Sequence, residues 1–196
     1  MGRKIAYIIP SFKSSPKEKA YLNIGRFFRE ANIEPIYVDV KWDNSTISQN
    51  TENFISLANS KQSEYTCVLG FSFGTLIAFI AASKIKMDLL ILCSLSPYFS
   101  EDLPYLKKSW KENVGKNRVK DLEAINSKNA AQKISTKTYV LYGTKEGPQI
   151  EKRAKDVFKN LKGDKHLIFL EEVNHDISNG RYLDQLHQII ISNTIE

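Results

Sequence analysis

A chain of 196 residues with 42% hydrophobic side chains is long enough to bury a sizeable core, and residues 1–196 are expected to fold as one domain. The early apolar run Ile5–Pro10 is too short for a signal peptide, and no stretch approaches the roughly 20 apolar residues that cross a bilayer; the chain reads as cytoplasmic, with no membrane partner. A net charge of +6 raises nucleic acid as a partner, but the densest basic region (Lys107, Lys108, Lys111, Lys116, Arg118 and Lys120, with Trp110 among them) is interrupted by Glu112, Asp121 and Glu123, which reads as a solvated helical face, so no nucleic-acid partner is expected.

Six short apolar runs read as strands. They are continuous, not alternating, as strands of a parallel sheet covered on both faces should be. The first is Ile5–Pro10. After it, Ala20, Ile24, Phe27, Phe28 and Ala31 share one helical face, and Pro35–Val40 reads as the second strand. Phe54, Ile55 and Ala58 make a shorter helical stripe before the third strand, Tyr65–Gly70. The apolar stretch from Thr75 is long enough for a buried helix, and Asp88–Cys93 is the fourth strand. If strands three and four are parallel neighbours, Cys67 and Cys93 are offset by on the order of 10 Å, too far for a disulfide, and both read as free thiols.

The interval from Ser94 to Thr138 is too long for a plain crossover and too short for a folded domain. It reads as a cap or crossover elaboration at about 97–135, holding a helix or two. Thr138–Tyr142 is the fifth strand. Ile150, Ala154, Val157, Phe158 and Leu161 mark the next helix, His166–Leu170 the last strand, and Leu183, Leu186, Ile189 and Ile190 the closing helix. Strand and helix alternate to the end, which predicts an α/β fold with right-handed crossovers.

Ser72 lies in Gly70-Phe71-Ser72-Phe73-Gly74, where a strand turns directly into a helix. A serine hydroxyl is a poor nucleophile until a base takes its proton and a carboxylate orients that base. Of the three histidines, His166 begins a strand and His187 sits within a helix, whereas His175 lies in the polar loop "EEVNHDIS" between the last strand and last helix. Glu146 stands at the tip of "YGTKEGPQ", past the fifth strand. In a parallel sheet the three loops fall on one edge, where ligands bind. Each residue also has a structural reading: Ser72 as a turn residue, Glu146 as an acid at a helix N-terminus with Asp102 supplying the carboxylate, and His175 as a helix cap, flanked by Asn174 and Asp176 as turn and cap residues.

The G-x-S-x-G turn and the chain order Ser, acid, His resemble the α/β-hydrolase family over nearly the whole chain. The resemblance implies a three-layer α/β/α architecture around a mostly parallel six-stranded sheet in the order 2-1-3-4-5-6. It also implies Ser72 as nucleophile, His175 as base, Glu146 as orienting acid, and an oxyanion hole from the backbone N–H of Phe73 and one from the loop after the first strand. Many members carry His-Gly at the start of that loop; here Pro10-Ser11 stands there, and Phe12 is the expected donor. Phe71, Tyr98 and Phe99 are candidates to line a substrate pocket, and equally for the core. The activity implied is hydrolysis of an ester or thioester, with no metal and no cofactor. With only a short insertion after the fourth strand little can cover the site, so a fairly open pocket and a small or flexible substrate are expected. Catalytically inactive ligand binding and acyl transfer are the alternatives on the same fold.

Overall fold

The computed structural model describes residues 2–193; Met1 and residues 194–196, the ends of the expected domain, lie outside the described residues. Six strands, β1 (Lys4–Ile9), β2 (Glu34–Tyr37), β3 (Tyr65–Phe71), β4 (Leu89–Cys93), β5 (Lys137–Gly143) and β6 (Lys165–Leu170), form a single sheet in the order β2-β1-β3-β4-β5-β6. Every neighbouring pair is parallel. Successive side chains of a strand point to opposite faces, so the continuous apolar runs feed two separate cores. Ile5, Tyr7 and Ile9 enter one core, and Ala6 and Ile8 the other.

The second of these cores is closed by α1 (Lys19–Glu30) and α8 (Gly180–Ser192), which supply Tyr21, Phe28, Tyr182 and Leu186. The first lies under α2 (Ile47–Asn59), α3 (Phe73–Ala82) and α7 (Pro148–Asn160). Thr46 and Gln49 close the start of α2 with a reciprocal capping box. Every residue of α3 is buried, which is why its sequence has no polar face.

The second strand is expected over Pro35–Val40 and forms over Glu34–Tyr37. It is a half-exposed edge strand that, among the described residues, pairs with β1 alone, from Ile5 opposite Glu34 to Ile8 opposite Tyr37, one residue short of the end of β1; Val38 N–H still donates to Ile8 O at 2.9 Å. In the ladder Cys67 lies opposite Leu89 and Cys93 opposite Phe71, and both cysteines are free and buried.

The segment between β4 and β5 is more broken than expected. It holds a 3₁₀ turn (Leu103–Tyr105) and three short helices, α4 (Lys108–Val114), α5 (Lys116–Glu123) and α6 (Ser127–Ala131). Gly115, at φ 92°, separates α4 from α5 with a backbone conformation that other residues rarely adopt. Among the described residues no helix is long and apolar enough to cross a membrane.

The chain passes from β1 outward to β2 and then returns to place β3 on the other side of β1. In open parallel sheets such a switch point, at the carboxyl ends of the strands, is where ligands bind. Ser72 is the residue that follows β3 there.

Candidate active site

Only one residue separates β3 from α3, so the chain must reverse at Ser72, which adopts φ 54° and ψ −120°. That strained conformation survives because its surroundings leave no alternative. A Cβ on Gly70 would stand 2.6 Å from Gly74 O and 2.8 Å from the Thr75 Cα, and one on Gly74 would overlap the Ile9 and Pro10 carbonyls. Ser72 N–H donates to Cys93 O at 2.9 Å, tying the turn to the next strand.

The loops after β5 and β6 bring two partners to Ser72. His175 Nε2 is 2.9 Å from Ser72 Oγ, and His175 Nδ1 is 2.8 Å from Glu146 Oε2. Facing a carboxylate, Nδ1 carries the ring proton and donates; Nε2 is then free to accept from the Ser72 hydroxyl. The Glu146 side chain is fully buried, whereas that of His175 is 41% exposed. Imidazole is therefore the one member of the line that solvent and ligands reach readily. The Phe71 ring stacks on it with centroids 4.9 Å apart.

Glu146 is held by groups that sequence reasoning missed. Its Oε1 accepts from Gly143 N–H at 2.6 Å and from the Ser94 hydroxyl at 2.8 Å. The Tyr182 hydroxyl lies 2.8 Å from Ser94 Oγ. Burial pushes the Tyr182 phenol well above its ordinary pKa, so it stays protonated; with the Ser94 proton given to Glu146, the phenol proton is shared between Ser94 Oγ and Leu141 O at 3.3 Å. Ser94 has φ 55°, an uncommon conformation for a serine, and this is the backbone mark of its placement.

Asp102 is not available as the orienting acid. It pairs with Arg153, and its Oδ2 accepts from Phe99 N–H at 3.1 Å. Arg153 also holds Glu101 at 3.1 Å and the Ser127 hydroxyl at 2.5 Å, and so clamps the crossover segment to α7. His166 and His187 lie elsewhere, near Asp164 (3.5 Å) and Glu30 (3.1 Å). Asp176 accepts from Ser178 N–H at 2.8 Å, and the Asn179 side chain caps α8.

Phe73 N–H heads α3 and belongs to the orphan donors of a helix start. In the loop after β1, Pro10 has no N–H and Ser11 N–H is taken by the Tyr21 hydroxyl at 2.9 Å. Phe12 N–H, like that of Phe73, has no acceptor among the described residues. The two rings touch, with centroids 5.2 Å apart.

The three aromatic pocket candidates separate. Tyr98 lines a cleft of about 340 Å³ with Pro97, Glu146, Gly147, Pro148 and Ile150. Phe99 is instead fully buried, edge-on to Phe79 at 5.6 Å and beneath the Arg153 guanidinium, so it is a core residue. Phe71 is also buried, between His175 and Tyr182, and supports the imidazole instead of lining the cleft. Nor is the site as uncovered as a short insertion suggests. Trp110 of α4 stacks on Tyr98 (4.2 Å) and Phe73 (6.4 Å), and Arg118 of α5 stands over the Phe12 ring. Among the described residues no three His, Cys, Asp or Glu side chains converge as a metal site requires.

No family model and no curated relative matches the sequence. Solved structures do match the fold. Est1E from Butyrivibrio proteoclasticus superposes with a TM-score of 0.83 at 16% identity, over 97% of this chain and 86% of that one. Mouse alpha/beta hydrolase domain-containing protein 10 gives a TM-score of 0.76 at 14% identity, over 98% and 90%. The enol-lactonase from Burkholderia xenovorans LB400 gives 0.72 at 12%, over 99% and 92%. With a parallel sheet in the order 2-1-3-4-5-6, helices on both faces and a serine at the tight turn after β3, the chain has the fold of the α/β-hydrolase family.

Proposed function

We propose that the protein is a serine hydrolase that cleaves a small carboxylic ester or thioester through an acyl-enzyme. The observation that carries this reading is the unbroken hydrogen-bonded line Ser72–His175–Glu146, with Ser72 at the strained turn and the carboxylate shut away from water. Ser72 Oγ attacks the carbonyl carbon while its proton passes to His175 Nε2. Glu146 Oε2 holds Nδ1–H and stabilises the imidazolium that forms. The oxyanion is received by the N–H groups of Phe73 and Phe12. His175 then gives its proton to the departing oxygen or sulfur. A water molecule, deprotonated by the same ring, releases the acid and restores Ser72. We place a short acyl chain or a single ring in the cleft of about 340 Å³ that Tyr98 and Glu146 border.

The test is covalent labelling. Incubation with a fluorophosphonate should add one reagent mass, mapped to Ser72 and absent from Ser72→Ala. Folded protein that takes up no reagent would overturn the hydrolase reading and leave ligand binding on a hydrolase fold.

A further inference from the structure

Two guanidinium groups of this chain are drawn into packing around the crossover segment, and the protein treats them differently. Both have a buried Nε without a partner. Arg153 nonetheless has its charge balanced, by Glu101 and Asp102. Arg118 does not. Its Nη1 donates to Val114 O at 2.9 Å, and among the described residues no carboxylate pairs with it. Asp121, one turn further along α5, accepts from Ser48 N–H at 2.9 Å instead, and Glu112 of α4 faces Lys108. A partly desolvated guanidinium with no counter-charge is costly unless an anion arrives to meet it.

The surroundings of Arg118 suit such an anion. It borders a cleft of about 440 Å³ with Ser45, Thr46, Gln49, Lys116 and Asn117, and no lining residue is acidic. Arg118 itself links the cleft to the candidate site, because its guanidinium also stands over the Phe12 ring. The Arg118 guanidinium carbon lies 5.3 Å from the centre of the Phe12 ring, Lys13 Nζ is also 5.3 Å from it, and that ring packs on Phe73, the neighbour of Ser72. A planar guanidinium pairs in fork geometry with carboxylate and phosphate oxygens.

We propose that Arg118, assisted by Lys116, forms a subsite for an anionic group, a carboxylate or a phosphate, carried by the ester or thioester substrate. This rests on the reading of Ser72 as nucleophile and adds to it the charge of the substrate.

The experiment compares two pairs of substrates that differ by one charged group: 4-nitrophenyl butyrate with mono-4-nitrophenyl glutarate, and butyryl-pantetheine with butyryl-phosphopantetheine. The first pair reads a carboxylate on the acyl side and the second a phosphate on the leaving side. Wild type should favour the charged member of at least one pair by about tenfold or more in kcat/KM, chiefly through KM. Arg118→Gln should collapse that ratio toward one, and Arg118→Lys should keep part of it. No preference in wild type, or a preference that survives Arg118→Gln, overturns the subsite while leaving the hydrolase reading intact. Should wild type cleave none of the four, that reading fails, and calorimetric titration with glutarate and with inorganic phosphate decides the subsite alone. Heat of binding in wild type that Arg118→Gln abolishes supports it; no heat in wild type, or heat that survives the substitution, overturns it.

Discussion

The Ser94 hydroxyl donates to Glu146 Oε1 at 2.8 Å, so a residue from the end of β4 fixes the carboxylate that orients His175. Removing a hydrogen bond to a charged, buried acceptor costs about 1.5–3 kcal/mol, or about 10- to 100-fold if the loss is felt in the transition state. Ser94→Ala is therefore expected to lower kcat by that factor with KM little changed. Tyr182→Phe, which removes a neutral hydroxyl shared between Ser94 Oγ and, at 3.3 Å, Leu141 O, should cost about 2- to 10-fold. Steady-state kinetics on both variants checks the order. A kcat for Ser94→Ala within twofold of wild type would reduce Ser94 to a packing residue.

Glu146→Gln makes a sharper case. Oε1 faces two donors, Gly143 N–H and the Ser94 hydroxyl, so the amide oxygen takes that position and turns its NH₂ toward His175 Nδ1. A donor there forces the imidazole into the other tautomer, and Nε2 can no longer accept the Ser72 proton. The size and shape of the side chain are unchanged, yet kcat should fall on the order of 10⁴-fold. Fluorophosphonate labelling of Ser72 should slow in parallel, while the thermal midpoint moves little.

Two glycine substitutions should have opposite signs. A Cβ at Gly74 meets backbone carbonyls of Ile9 and Pro10 that have nowhere to go. Gly74→Ala should lower Tm by roughly 5 °C or more and disturb the loop that carries Phe12. Gly180 opens α8 with nothing near its Cβ position. Gly180→Ala should raise stability by about 0.4–1 kcal/mol, through a less flexible unfolded chain. Scanning calorimetry on the pair measures both.

The sequence announces elements whose residues face one demand. Strands buried on both faces are apolar at nearly every position, so β1, β3, β4 and β5 stand out as runs; edge strand β2, only partly buried on either face, is the one whose end is misread by three residues. Ser72 is legible because glycines flank it in G-x-S-x-G between a strand and a helix, and Glu146 and His175 because they follow it in matching order in loops past later strands. Ser94 has the same location, but serine is ordinary in a turn, and only its φ and its distance to Glu146 reveal it. Tyr182 is hidden by the apolar stripe of α8, which its ring belongs to while its hydroxyl does not. Asp102 and Glu146 are equivalent on paper; what separates them is Arg153, 51 residues from Asp102. Arg118 reads as one more cation in a basic stretch until its missing counter-ion is seen.

Acid should loosen the crossover segment first. Burial pushes the Glu101 pKa up, but hydrogen bonds from Ser127 and the Arg153 charge outweigh it, and the net pKa is held below the ordinary carboxylate value. A group depressed on folding contributes stability that is full above its unfolded pKa and is lost as pH falls through its folded one. Glu101→Gln should thus lower Tm at pH 7 by several degrees, on the order of 1–2 kcal/mol, and the gap from wild type should close below about pH 4. A gap that stays constant from pH 7 to pH 3 would argue that packing, not charge, anchors this segment.

Both cysteines should be silent in the native state. Burial pushes the Cys67 and Cys93 thiols up, and the nearby Glu146 charge raises Cys93 further, so little thiolate forms and none is reachable. An aromatic disulfide reagent should titrate no thiol in buffer and both in denaturant.

Ser72 and His175 are 103 residues apart in the chain, and His175 and Glu146 are 29 apart, so no local turn or helix holds any part of the line together. Each residue hangs from a different strand, and β4 stands between those that carry Ser72 and Glu146. Contacts of such long sequence separation form late when a chain folds, after the loop entropy of the whole sheet has been overcome. A partly folded chain can therefore hold native helices and native strands and still leave Ser72 without a base. Recovery of labelling at Ser72 during refolding would mark the moment at which the sheet is complete.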